Sequence, residues 1–286
     1  MKAIVLKSFK KLWKLLQIPT LHKINGIKLW LPPEHLLPKY KSKYPLYDEF
    51  LPVLANVLPN ASCVVDVGAN VGDTCLSMYK SNSSLNFICV EPDHKFFLYL
   101  KFNTRQLPVS KVKNKKFLIT QFKDSFKLSG NGGTKSMKKS RIKKYRNFSL
   151  DDLLEIDKPA SVISLIKSDI DGHDFDVILS GKQIISEIKP LVYFEFMFIN
   201  YESLNNYLKS IIFLISAGYS KAYVFKNTGE FEKSLNINEL EKYIRTNVNS
   251  YNRFSKVSYY DVLFSAENYT KIAEEAVNNY QNNKLI

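Results

Sequence analysis

Residues 63–80, "CVVDVGANVGDTCLSMYK", decide how the chain is read. An apolar run interrupted by one acid, Asp66, has the look of a buried strand, and the residues from Asp73 onward have helical spacing. Between them lies the turn Gly68, Ala69, Asn70, Val71, Gly72. In an open parallel sheet, ligands sit beyond the carboxyl ends of the strands, next to such a turn. Gly68 can take backbone angles closed to other residues and let the chain approach a ligand, and Gly72 lets the following helix pack close to the strand. A dinucleotide fingerprint would read GxGxxG, but Asn70 and Asp73 stand at its second and third glycine positions. No GxxxxGK[ST] phosphate loop occurs.

The acids sharpen this reading. A carboxylate at Asp66 repels a pyrophosphate on the turn and suits a ligand that carries an ammonium group. Glu91 ends the next apolar run, about one βαβ step after the glycines, where an acid typically holds ribose hydroxyls. A ribose, a cationic amino-acid portion and no phosphate describe S-adenosylmethionine. Taken singly, either acid has a plain structural reading as the cap of a strand end.

Outward from this stretch, apolar runs alternate with helical segments. After "SCVVDVG" come "NFICVEP", "KKFLITQF", "SVISLIKSDID", "PLVYFEFM", "YSKAYVF" and "VSYYDVLFSA". Continuous apolar strands separated by helices predict an α/β fold, a Rossmann-like and mostly parallel seven-stranded sheet with helices on both faces. A helix is expected at about 46–58. The expected division is a basic N-terminal helix and irregular lead-in over 1–45, a Rossmann-like domain over 46–265 and a helical tail over 266–286.

The formal net charge is +14, from 41 Lys and Arg against 27 Asp and Glu, which favours anionic partners. Basic residues concentrate in residues 1–18, an amphipathic helix carrying Trp13, and in residues 135–146. The first can lie on an anionic membrane surface or pack on its own domain. A solvated basic surface explains the charge as readily as a functional one. Cys63, Cys75 and Cys89 lack CxxC spacing and read as buried thiols in a reducing compartment. With no apolar run long enough to span a bilayer, a cytoplasmic, possibly membrane-peripheral protein is expected.

"VVDVGANVGDT", "ICVEP", "FSLDDLL", "SLIKSDIDGHDFDVILSG" and "IKPLVYFEF" occur in the order seen in the FkbM family of S-adenosylmethionine-dependent methyltransferases, which the chain resembles over residues 46–265. "SGNGGTKSM" is similar to the glycine-rich segment of that family. The resemblance implies a class I methyltransferase fold, with Asp66, Gly68, Ala69, Asn70 and Gly72 on the methionine side of the cofactor and Glu91 on its ribose. It implies Asp124 as the residue meeting the adenine amino group, and it places Asp169 at the methyl-transfer site. The family motif runs acid, glycine, any residue, glutamate. Here it is Asp171, Gly172, His173, Asp174, with aspartate in place of the longer glutamate.

Methyl transfer to a hydroxyl needs a general base. Asp169, Asp171, His173, Asp174 and Glu195 are candidates, of which His173 has the best natural pKa and Asp169 the best position. Asp171 and Asp174 also suit simple capping of the helix that begins "FDVILSG". The spaced carboxylates suggest Mg²⁺, but the later Asp-Asn pair of metal-dependent relatives is absent, so no metal is expected. The [ND]PP[YF] motif of nitrogen methylation is absent too, which favours oxygen. Family analogy points to a sugar hydroxyl of a polysaccharide, glycolipid or secondary metabolite, or another small-molecule hydroxyl. An RNA-modifying methyltransferase is the alternative, with no DNA partner expected, and a non-catalytic binding protein fits less well because the cofactor turn is intact.

Overall fold

The computed structural model describes residues 18–122, 126–130, 136–140, 145–197, 201–250 and 259–282. Asp124, and all of the expected 1–18 helix but Ile18, lie outside the described residues.

The segment expected to be an irregular lead-in is largely ordered. Strands β1 (Thr20–Ile24) and β2 (Ile27–Leu31) form an antiparallel hairpin with Ile24 opposite Ile27. Its turn, Asn25-Gly26, has φ of 50° and 76°, the mirror-image turn that matches strand twist and that Asn-Gly adopts at low cost. Ile27, Leu29 and Leu31 alternate inward. Helix α1 (Leu37–Lys43) follows, and α2 (Phe50–Val57) is shorter than the helix expected at 46–58. It starts late because Asp48 sits at φ 56°, outside the right-handed helical region.

Next come β3 (Cys63–Val67), α3 (Asp73–Ser81), β4 (Asn86–Val90), α4 (His94–Asn103), β5 (Val112–Lys115), β6 (Leu118–Ile119), β7 (Phe126–Ser129), β8 (Ser136–Lys139) and β9 (Asn147–Phe148). The rest are α5 (Leu150–Ile156), β10 (Ile163–Ser168), α6 (Asp174–Ser180), α7 (Lys182–Ile188), β11 (Leu191–Phe196), α8 (Tyr201–Ser216), β12 (Tyr219–Lys226), β13 (Phe231–Asn236), α9 (Ile237–Ser250), β14 (Tyr260–Ala266) and α10 (Glu267–Asn282).

The main sheet has eight strands, in the order β13-β12-β14-β11-β10-β3-β4-β5, not the seven expected. The run from β5 to β11 is parallel, and β14, β12 and β13 add antiparallel strands. The additional strand, β13, is the polar edge "FEKSLN", which lacks an apolar run because only Leu235 is buried. The third predicted strand, "KKFLITQF", also sits differently. The sheet edge is Val112–Lys115, while Leu118–Ile119 leaves the sheet to pair with Asn147–Phe148.

Side chains of β3 alternate between two apolar layers, with Cys63, Val65 and Val67 on one face and Val64 on the other, so helices cover both faces. The helix after residue 266 shares the second layer. Tyr269, Ala273, Ala276, Val277 and Tyr280 of α10 pack in the cluster that holds Phe50, Leu51 and Leu54 of α2. The three cysteines are free and buried. The motif "FSLDDLL" is a pair of helix caps. Ser149 and Asp152 form a reciprocal capping box on α5, and the Asp151 carboxylate accepts from the Gln183 and Ile184 amides that open α7.

Candidate active site

Parallel strands end on the same side of the sheet, so the ends of β3, β4, β10 and β11 bring Asp66, Glu91, Asp169 and Glu195 to one edge. The turn after β3 is held by bonds from the Gly68 and Ala69 amides to the Val90 carbonyl, at 2.9 and 3.0 Å. Gly68 has φ +77°, and a Cβ there would stand 2.0 Å from the Asp169 carbonyl oxygen. Its glycine lets this turn cross the loop after β10. Gly72 likewise yields to α4 and not to the strand, since a Cβ would lie 3.0 Å from Leu100 Cδ1. The Asn70 amide donates to Glu91 Oε2 at 3.0 Å and the Asp93 amide to Oε1 at 2.7 Å. Burial nevertheless dominates and pushes the Glu91 carboxyl up to about 8.

Asp66 is fully buried, and its partner comes from the chain itself, not from a ligand as expected. Lys167 Nζ lies 3.0 Å from Asp66 Oδ1, the two residues being register neighbours on β10 and β3. The ammonium also lies 3.4 Å from the Gly68 carbonyl oxygen and 3.7 Å from Asp169 Oδ2. Burial alone favours the neutral amine, but Asp66 and then Asp169 outweigh it and hold Lys167 charged. A lysine inside the apolar strand "ISLIKS" was the sequence signal for this pair.

Two cavities flank this centre. Glu91, Phe96, Leu118, Leu128 and Ile170 line the first; His35, Tyr47, Asp48, Lys167, Glu195 and Tyr259 are among those lining the second. Gly68, Asn70, Asp169 and Asp171 line both. The Asp169 side chain is 43% exposed. Asp171 takes φ 54° beside Gly172 at 91°, two consecutive residues with positive φ. Asp174 and His173 line neither cavity. The Asp174 carboxylate is buried, accepting from Ser168 Oγ at 2.5 Å, the Ile170 amide at 3.1 Å and the Tyr207 hydroxyl at 3.3 Å. It braces the loop that carries Asp169 and Asp171. His173 precedes α6 with its ring 6.1 Å from that of Phe175. His35, from the segment read as irregular, reaches Asn70 Oδ1 with its Nε2 at 3.1 Å. Among the described residues, no group of three or more His, Cys, Asp or Glu side chains is placed to hold a metal ion.

Compared with known families, the sequence matches the methyltransferase FkbM domain over residues 66–221, more than half of the chain. The chain belongs to the FkbM-domain methyltransferases. A methyltransferase FkbM from Methylobacillus flagellatus is similar at 14% identity and TM-score 0.43, covering 66% of this chain and 55% of that one, so this chain spans about half its length. P. horikoshii TYW2 in complex with MeSAdo is similar at 14% identity and TM-score 0.46, over 87% and 70% of the two chains. A SAM-dependent O-methyltransferase from Thermotoga maritima is similar at 11% identity and TM-score 0.43, over 86% and 77%. No curated protein matches the sequence.

This FkbM-domain protein is an S-adenosylmethionine-dependent methyltransferase. The lining of the first cavity fits this cofactor, with Glu91 at the end of β4, apolar walls from Phe96, Leu118, Leu128 and Ile170, and Asp169 and Asp171 where it meets the second cavity. The two amide bonds to Glu91 leave acceptor capacity on its oxygens for hydroxyls.

The buried acids also set a pH dependence. Burial raises Glu91 to about 8 and Asp174 to about 7. Between the unfolded carboxylate range near pH 4 and these values, the folded chain binds more protons than the unfolded one. Stability from these groups is therefore highest at the acid end of that window and is lost as pH rises toward 8. Thermal melts of the cofactor-free protein from pH 5 to 8 should show a falling midpoint, and a rising one would contradict the burial of these acids.

Proposed function

We propose that this methyltransferase modifies a hydroxyl oxygen, on a sugar of a polysaccharide, glycolipid or secondary metabolite or on another small molecule, with Asp169 as the base. The observation that carries the reading is the position of Asp169 where the two cavities meet, half-exposed and bordering both. When bound, S-adenosylmethionine supplies a methyl group whose bond to sulfur breaks, the electron pair staying on sulfur, as the bond to the acceptor oxygen forms. Asp169 takes the hydroxyl proton, and Lys167 holds its carboxylate in place from 3.7 Å. Asp171 borders the same junction and Asp174 positions the loop from below. On the cofactor side, the turn 68–72 and Glu91 hold the methionine and ribose portions, with Asp66 acting through Lys167. The acid-lined second cavity repels a phosphate backbone, which weighs against an RNA acceptor despite the net charge of +14. Residues 1–18 bring the enzyme to anionic membranes, where lipid-linked acceptors lie; vesicle sedimentation with and without this segment tests that.

Incubation with labelled cofactor and an extracted glycan pool, followed by mass spectrometry, should place the label on a sugar oxygen; label on nitrogen or on RNA would overturn the reading. Glu91→Ala should weaken S-adenosylhomocysteine binding by about 1–3 kcal/mol in calorimetry, the cost of leaving buried polar groups unpaired. Unchanged affinity would remove Glu91 from the site.

A further inference from the structure

We infer that the acceptor carries a protonated amine as well as the hydroxyl, an amino sugar or amino alcohol, and that the second cavity receives this cation at Glu195, backed by Asp261. The inference rests on the methyltransferase reading above and names the acceptor class for the same site. Glu195 is only 6% exposed, borders the second cavity and not the first, and its Oε2 has no hydrogen-bond partner. A buried carboxylate oxygen left unpartnered is costly, and such a group facing a cavity calls for a donor from the ligand. In the sheet, Glu195 on β11 stands directly opposite Asp261 on the antiparallel β14. Like charges at cross-strand neighbours destabilise a sheet unless a counter-charge comes between them or one is protonated. Among the described residues that line the cavity, none supplies such a counter-charge. Lys167 is the single lysine or arginine among them, and it is committed to Asp66 at 3.0 Å.

The wider lining has the same sign. Asp48, Asp73, Asp169, Asp171 and Glu195 contribute five carboxyl groups against that one ammonium. Burial first, and then Asp169, Asp174 and Asp261, hold the Glu195 carboxyl well above the ordinary carboxylate range, and burial followed by Asp48 and Asp169 does the same for Asp261. A neutral polyol would satisfy Oε2 but leave the carboxyls to relieve their repulsion by holding a proton; an ammonium satisfies Oε2 and stabilises the charged pair. Tyr47 and Tyr259 add aromatic surface, against which sugar rings and amines pack well. The overall charge of the protein is strongly positive, so this negative cavity is a local feature that the chain maintains against its own average.

The test uses the full chain saturated with S-adenosylhomocysteine and two matched pairs of probes, glucosamine against glucose and ethanolamine against ethylene glycol, titrated calorimetrically at neutral pH. The amine of each pair should bind at least tenfold more tightly than its neutral partner. Glu195→Gln and, separately, Asp261→Asn should reduce that preference to about twofold or less, while S-adenosylhomocysteine affinity, which also reports that each variant is folded, stays the same. Equal binding within the pairs, no binding of either amine, or a preference that survives both substitutions would overturn the inference. If the wild-type chain failed to bind S-adenosylhomocysteine yet still preferred the amines, the cofactor reading would fall and the amine site would stand.

Discussion

Replacing Lys167 with methionine is expected to lower the unfolding free energy by about 3–5 kcal/mol, because it leaves the fully buried Asp66 without its counter-charge. The methionine side chain fills most of the same volume, so packing changes little and the loss is electrostatic. Two controls isolate that cause. Asp66→Asn in the Lys167→Met background removes the stranded charge and should recover most of the loss. Lowering the pH should shrink the defect too, since burial already pushes the Asp66 carboxyl upward and protonation neutralises it. Urea unfolding of the wild type, the single variant and the double variant measures all three. A single variant as stable as the wild type would mean that Asp66 is neutral in the folded protein and that the pair contributes no net charge interaction. The pair also bears on function, because Lys167 Nζ ties the turn after β3, through the Gly68 carbonyl, to Asp169.

Asp169→Asn should depress turnover by at least about a hundredfold, the scale on which a positioned base contributes. The substitution keeps the shape of the side chain and removes its ability to take a proton. Its partly exposed position predicts an unchanged melting temperature, and S-adenosylhomocysteine affinity should hold because the cofactor cleft keeps Glu91 and the glycine turn. His173→Ala serves as the comparison and should leave turnover within a few-fold of wild type, since the histidine borders neither cavity. Full activity in Asp169→Asn would move the base to Asp171 or Glu195, two of the other carboxylates of the second cavity. A large loss in His173→Ala with cofactor binding intact would move it to the histidine.

The sequence alone determined the fold class, the glycine turn and the placing of Asp66, Glu91 and Asp169 at strand ends. It did so because alternation of apolar strands with helices leaves few topologies, and parallel strands end on one side. The hairpin around Asn25-Gly26 was equally legible from its turn residues and the alternation of Ile27, Leu29 and Leu31, and was obscured only by the prolines and lysines that follow. The tertiary structure decided what each acid meets. The pairing of Asp66 with Lys167 depends on the register between β3 and β10, strands separated by about a hundred residues. The burial of Asp174 beneath Tyr207, and the entry of His35 and Asp48 into the second cavity, depend on elements that no local pattern connects. The opposition of Glu195 and Asp261 exists only because β14 inserts between β11 and β12. Local periodicity reports which face a residue takes. The partner of a buried charge is set by strand order and register, which the chain settles only when the whole sheet assembles.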